Sequence, residues 1–495
     1  MAAQSPWPQS CVRWTRNERR RVSRQESPLD HVTPYDRLAW EDGVVERLLA
    51  SGEQQRELVA YFGAQEYEVL AKLAREAQAA VVRDDAPRVY IVPGIMGSQL
   101  GRRRRAPLPS DILWLDPVDI SVGQLSLLRM PGEAQIVALG VVLFTYLRLK
   151  LHLRIAGFAP VFHDYDWRLG VDDLGRQLAE RLRADAGRVM IVAHSMGGLV
   201  SRAALACEGM QKVERIVLLG TPNRGSFAPV QALRGVYAVV RKIARLASNG
   251  QSAESLAADV FSTFPSLYHL LPAPDFDAGF DLFDADAWPN SGPRPIVRLL
   301  EEARTLGQRL ACADGRFANI IGAGQETVTR ATRQRDQFIY TITRQGDGTV
   351  PRECAELPGA RTYYTTVAHS ELARDATVAH AIADVLGSGV TRRLQTKWAN
   401  RSLAEARISD RELRATHTQK VDWVHLEPDA RQDFLRNLNE PPQLTLRVPQ
   451  SGTRSRAVPR KAAPKKAAPK QAPKRKTARK PAPRKGKTKA ARRAK

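Results

Sequence analysis

The chain has 495 residues, of which 43% are hydrophobic and 6% aromatic, and its formal net charge is +24. That length and apolar content suit a globular protein with one large core or two, plus insertions. Its four cysteines (Cys11, Cys207, Cys312, Cys354) are far apart and show no CxxC or CxxH spacing, which excludes a disulfide framework and a structural zinc site.

Residues 1–85 read as a polar, Arg-rich arm followed by helices. No apolar core follows the basic cluster at residues 13–24, so no secretion signal is read. Leu38, Val44, Val45, Leu48 and Leu49 share one helical face, and Tyr67, Leu70, Leu73 and Ala74 another. Residues 86–389 carry the alternation of a catalytic domain. Residues 88–93 (RVYIVP) form a buried strand that runs into the small-residue turn Gly94-Ile95-Met96-Gly97-Ser98. Residues 135–155 read as an apolar helix, and their most apolar part, 137–147, is too short to span a bilayer. A strand at 159–163, a helix opened by Asp172 and Asp173, a strand at 189–193 and another at 214–219 follow. Such alternation predicts a doubly wound, mainly parallel α/β sheet.

The alternation stops over residues 226–315, where amphipathic helices (236–246, 252–261) and an exposed-looking run of Phe276, Phe280, Leu282 and Phe283 suit a helical lid. It resumes with strands at 317–321, 337–344 and 361–367 and a helix at 376–386. Residues 390–450 are charged and partly helical, with Trp423, Val424, Phe434 and Leu435 as docking points.

The chemistry centres on RVMIVAHSMGGLVSRAALA, residues 188–206, which reads as strand, sharp turn and helix. Ser195 sits at the apex of that turn, with Ala193 and Gly197 as its small neighbours two positions away. This reads as a nucleophile elbow with Ala in the first small position, and a plain strand-to-helix turn is the alternative. Gly198 would let the helix pack close against the strand, and His194 reads as packing. A serine needs a base, and the base needs an acid to fix its tautomer. In this topology both arrive later in the chain. Of His369, His380, His417 and His425, only His369 lies in a loop just past a strand. Asp347, in Gln345-Gly346-Asp347-Gly348-Thr349-Val350-Pro351, follows the strand at 338–343; Glu353 and Asp375 are the other carboxylates considered, and an ordinary Asp-Gly turn is the alternative. The backbone amides of Met196 and Met96 are the candidate oxyanion donors. No cofactor or metal is read.

Several motifs occur in register. They are Val92-Pro93-Gly94-Ile95-Met96-Gly97-Ser98-Gln99-Leu100, Tyr165-Asp166-Trp167-Arg168, Ala193-His194-Ser195-Met196-Gly197-Gly198, Gly220-Thr221-Pro222, Gly346-Asp347-Gly348-Thr349-Val350-Pro351 and His369. Over roughly residues 87–386 the sequence resembles the lecithin:cholesterol acyltransferase family of α/β-hydrolases, which includes phospholipases and bacterial lipases. The resemblance implies serine-based transfer of an acyl group from a lipid ester to water or a hydroxyl acceptor. It also implies that Trp167 lines the acyl site and that Phe264-Pro265-Ser266-Leu267 lies in the covering insertion. Ala193 departs from the family's Gly. The absence of a read signal and of lid disulfides points to an intracellular esterase, lipase or acyltransferase, expected to be cytoplasmic.

Residues 451–495 hold 19 Lys and Arg and no Asp or Glu, which leaves only +5 for the rest of the chain. Their Lys/Ala/Pro composition predicts a disordered tail that binds polyanions such as DNA, or an anionic membrane or granule surface, by counterion release. The alternative to an enzyme is an inactive hydrolase fold that this tail tethers to DNA or an anionic surface.

Overall fold

The computed structural model describes residue 36 and residues 41–439, apart from 84, 107, 248–249, 277–279, 400–403, 417 and 424. The first 35 residues, His417, Val424 and the basic tail lie outside the described residues. In chain order the strands are β1 (Arg88–Val92), β2 (Ser98–Arg102), β3 (Asp111–Trp114), β4 (Val137–Val141), β5 (Ala159–Phe162), β6 (Val189–His194), β7 (Val213–Leu219), β8 (Phe317–Gly322), β9 (Thr327–Gln334), β10 (Gln337–Thr343), β11 (Arg361–Thr365) and β12 (Ala406–Ser409).

Six of them form a parallel sheet in the order β11-β8-β7-β6-β1-β5. The chain leaves β1 toward β5 on one side, then returns past β1 to lay down β6, β7, β8 and β11 on the other. The direction of winding therefore reverses between β1 and β6, and the loops after these two strands diverge to leave a crevice at their carboxyl ends. This is a doubly wound α/β-hydrolase sheet. Side chains alternate across it with period two. Val89, Ile91, Met190 and Val192 face the helices Ala64–Ala79, Leu143–Ile155 and Ala376–Ser388, whereas Tyr90, Val92, Ile191 and Ala193 face Val171–Ala184 and Met196–Leu205. Both faces are covered, which is why these strands read as unbroken apolar runs.

Two smaller antiparallel sheets depart from the expected alternation. β10 joins β9 and β12 in the order β12-β10-β9 and is not part of the main sheet. The stretch expected as one helix over 135–155 begins instead as β4, paired with β2, and turns helical only at Leu143. Val137 and Val141 are β-branched, and Gly140 at φ +133° has a backbone that no helix contains, so the local sequence favours an extended segment.

Within 226–315 the helices Ala238–Leu246 and Ala253–Asp259 fall where amphipathic spacing puts them. Phe276, Phe280, Leu282 and Phe283, however, are not exposed. Leu282 and Phe283 are buried, and Phe280 packs edge-on against Phe338 of β10. Two buried ionic knots join the outer segments to the core. Arg234 and Asp410, both fully buried, pair at 3.1 Å, and Asp410 also accepts from Tyr340 Oη and the Phe338 amide. Glu66 accepts from Arg148, Arg374 and Arg436, uniting an N-terminal helix, the loop after His369 and the helix Pro428–Arg436. Trp423 is buried against Phe434. Among the described residues no helix is long and apolar enough to cross a membrane.

Three buried histidines set a pH limit on this fold. Burial pushes His163 and His194 down to about 3 and His269 down to about 4. His269 Nδ1 accepts the Val171 amide at the start of the helix Val171–Ala184, a bond that protonation would break. Unfolded histidines take up protons below about 6.5 whereas these do not, so stability is lost as pH falls from there toward 4. Asp119 opposes this in part, because burial raises its carboxyl to about 7. The net expectation is a loss of roughly 2 kcal/mol per pH unit between pH 6 and 4.5. It is measured as the thermal midpoint against pH, and a midpoint that stays flat across that window contradicts it.

Candidate active site

β6 ends at His194, and the chain turns at Ser195 with φ 54° and ψ −127° into the helix Met196–Leu205. A non-glycine residue there is strained, and the surrounding packing holds it. A Cβ on Gly197 would lie 2.4 Å from the Pro93 carbonyl oxygen, so only glycine lets the turn approach β1. Gly198 serves a different neighbour from the one expected. Its missing Cβ makes room for Thr221 in the turn after β7, at 2.0 Å.

Ser195 Oγ lies 2.9 Å from His369 Nε2, and His369 Nδ1 lies 2.7 Å from Asp347 Oδ2. All three side chains are buried, with Asp347 only 1% exposed. The second carboxylate oxygen, Oδ1, accepts the Thr349 and Val350 amides at 3.0 and 2.7 Å, while the His369 amide donates to the Asp347 carbonyl at 2.9 Å. A carboxylate can only accept, so Nδ1 carries the imidazole proton and Nε2 offers its lone pair to the serine hydroxyl. Glycines shape the space around this pair. A Cβ on Gly220 would sit 3.0 Å from both Asp347 Oδ2 and His369 Nδ1, and one on Gly322 2.6 Å from Asp347 Cβ.

The loop after β1 faces the elbow across the crevice. Met96 has φ 62°, and among the described residues neither its amide nor that of Met196 has a hydrogen-bond partner. Met196 opens a helix, where the first amides are free in any case. The rest of the loop is braced. Trp114 Nε1 donates to the Met96 carbonyl at 3.0 Å, Tyr165 Oη to Pro93 at 2.5 Å, Trp167 Nε1 to Ser98 at 3.0 Å, and the Gly97 amide to Gly94 at 3.0 Å. Two residues of the Tyr165-Asp166-Trp167-Arg168 motif thus hold this loop. Arg168 pairs with Asp166 and donates to the Leu128 carbonyl.

Ser195, His369 and Met96 open onto a cavity whose apolar wall includes Phe144, Trp167, Val239, Phe261, Leu267 and Leu435. Trp167 has no exposed surface in the folded chain, and its indole N–H is already used, so it presents only apolar atoms to the cavity. Phe264 and Leu267, from the motif assigned to the covering insertion, are wall residues as well. Glu371, Arg374 and Arg436 form a polar end. Leu435 and Arg436 come from the segment 390–450, whose sequence gave no hint of a place beside the site. His380 packs against His152, and His425 pairs with Asp422 on the surface. Glu353 does not line the cavity, and Asp375 instead caps the helix Ala376–Ser388 through the Val378 amide. Among the described residues no cluster of three His, Cys, Asp or Glu could hold a metal ion.

Sequence reasoning missed Tyr146, and it read His194 as packing, which it is, without its hydrogen bonds. His194 Nδ1 lies 2.9 Å from Tyr146 Oη, which accepts the Gly94 amide at 2.9 Å; His194 Nε2 lies 3.0 Å from the His369 carbonyl. No local pattern signals partners this distant in the chain.

A search of curated proteins finds no match to the chain. Among solved structures, the mature form of the Bacillus licheniformis lipase BlEst2 is similar at 15% identity, covering 63% of this chain and 95% of the other with a TM-score of 0.33. A Tle4–Tli4 complex is similar at 14% identity, covering 61% of this chain and 98% of the other with a TM-score of 0.39. Residues 175–264, which include the elbow but neither Asp347 nor His369, match the family model of the PGAP1-like alpha/beta domain.

Proposed function

We propose that this protein cleaves carboxylic esters bearing an apolar acyl chain, with Ser195 as nucleophile, and passes the acyl group to water or an alcohol. The observation that carries the proposal is the unbroken chain Ser195–His369–Asp347 at the wall of an apolar cavity. His369 Nε2 takes the hydroxyl proton as Oγ attacks the ester carbonyl carbon. The resulting oxyanion is held by the Met96 and Met196 amides, which have no other partner among the described residues. The same proton then goes to the departing alkoxide, leaving an acyl-Ser195. Water or an alcohol, deprotonated by His369, attacks the acyl carbon and restores the serine. Asp347 stabilises the imidazolium throughout. Trp167 and the other wall residues take the acyl chain.

The order of motifs supports a finer placement with the lecithin:cholesterol acyltransferase type, and the free choice of acceptor in that chemistry is why transfer is kept beside hydrolysis. A fluorophosphonate probe tests the reading. It is expected to label the protein once, with the adduct mapping to the peptide that contains Ser195, and nitrophenyl butyrate hydrolysis should disappear in step with labelling. Labelling at another residue, or hydrolysis that persists in fully labelled protein, defeats the proposal.

A further inference from the structure

We infer that Tyr146 and His194 form a buried relay that fixes the oxyanion loop and the catalytic base in register with each other, making both of them positioning residues for the proposed reaction. The inference rests on the assignment of Ser195, His369 and Asp347 above. It follows from the four hydrogen-bonded groups, whose protons can be placed without ambiguity.

The His369 carbonyl can only accept, so the proton on His194 must sit on Nε2, 3.0 Å away. A neutral imidazole has one ring proton, so Nδ1 is left as an acceptor and Tyr146 must donate its hydroxyl proton to it at 2.9 Å. The Tyr146 oxygen then accepts the Gly94 amide at 2.9 Å. Every donor meets an acceptor, in one direction, from the peptide that begins the oxyanion loop to the peptide of the base. Tyr146 and His194 are 2% and 7% exposed, so water does not compete for these bonds.

The relay suits the reaction in a second way. The rings of His194 and His369 lie with centroids 4.9 Å apart. His369 becomes positively charged when it takes the serine proton. A charged neighbour at that distance would oppose the step, and burial keeps His194 neutral, holding it down to about 3. The neighbour of the nucleophile is therefore a histidine that does not titrate in the working range. Its geometry also explains how the sequence neighbour of the nucleophile can govern the base through the backbone. It holds the backbone of position 369, and the Asp347 carbonyl holds the amide of the same residue.

The test compares Tyr146→Phe, His194→Gln, His194→Leu and the Tyr146→Phe/His194→Leu double variant, with Ser195→Ala as reference. The readouts are kcat and KM for nitrophenyl butyrate, normalised for the relay variants to sites titrated by a fluorophosphonate and for Ser195→Ala to folded protein measured by circular dichroism. The relay predicts that Tyr146→Phe lowers kcat about ten- to a hundredfold, the scale of a small misplacement of catalytic groups, with KM within about twofold. His194→Leu should lose at least as much. His194→Gln, whose amide can still donate toward the His369 carbonyl, should recover part of the loss. The double variant should be no worse than the poorer single one, because each breaks the same chain. Losses that multiply in the double variant, or a kcat unchanged by Tyr146→Phe, overturn the relay. If Tyr146→Phe does not fold, the order of His194→Gln and His194→Leu makes the same decision: equal losses overturn it. Ser195→Ala turnover above about one part in a thousand of the parent's would instead sink the assignment of the site, and the relay with it. Ser195→Ala inactive beside unaffected relay variants condemns the relay alone.

Discussion

Ser195→Ala is expected to lower kcat/KM for a soluble ester by roughly 10⁵–10⁶-fold and to leave the fold intact. The substitution removes one atom. That atom is the only hydroxyl within hydrogen-bond reach of His369 Nε2 among the described residues, and without it the imidazole has no proton to take and no alkoxide to form. The backbone keeps its φ of 54° with Ala as with Ser, and the neighbouring contacts of Gly197 and Gly198 do not involve the hydroxyl. What remains is the cavity and the two amides, which can still bind an ester and polarise its carbonyl toward water. A small residual rate from those sources is therefore consistent with the mechanism. The check is kcat/KM on nitrophenyl butyrate beside a thermal melt. A variant that melts like the parent and retains more than about one part in a thousand of its turnover would mean that another nucleophile does the chemistry.

The legible part of this molecule is the part whose neighbours in space are also its neighbours in pattern. β1 from Val89, β6 up to Ala193 and β7 from Ile216 are buried on both faces, so these stretches read as short, unbroken apolar runs. The elbow is legible because its strain demands small residues at fixed offsets. Gly346 and Gly348 around Asp347 are legible for the same reason. β10 has an equally good strand sequence, but a strand does not announce its sheet, and Gln337–Thr343 pairs with β9 and β12 outside the main one. β9 itself (TVTRATRQ) alternates with a polar outer face and looks like a loop. Phe276 and Phe280 look exposed because what covers them is distant in sequence: Phe276 packs against Phe227, and Phe280 against Phe338 of β10. Several charges of the segment 390–450 are spent on distant partners. Arg436 reaches the Phe62 carbonyl and Glu66, and Asp410 reaches Arg234. Its apolar contribution to the cavity, Leu435, reads in the sequence only as a docking point without an assigned partner. His194 shows the same limit at the site. Adjacent to the nucleophile in sequence, it acts through Tyr146 and the His369 peptide, and neither connection leaves a local trace.

The bonds of Asp347 make a sharper test than its removal does. Asp347→Asn should lower kcat/KM near neutral pH by about 10⁴-fold, no less than Asp347→Ala, even though asparagine is nearly the same shape. Oδ1 of Asp347 accepts two backbone amides, from Thr349 and Val350. An asparagine must place its oxygen there, because an NH₂ group would point its hydrogens at two donors. Its nitrogen is then forced into the position of Oδ2, facing His369 Nδ1. That nitrogen only donates, so Nδ1 must become the acceptor and the ring proton moves to Nε2. In that tautomer Nε2 has no lone pair for Ser195, and the base is disabled by a side chain that fits perfectly well. Alanine imposes no such tautomer, since a water or a reoriented ring can leave Nε2 free. Shape-based reasoning gives the opposite order, with asparagine the milder change. Kinetics of the two variants, together with ¹⁵N chemical shifts of the His369 ring nitrogens in Asp347→Asn, decide between them. An asparagine variant within tenfold of the parent, or one whose ring proton stays on Nδ1, would show that Asp347 does not set the protonation of the base.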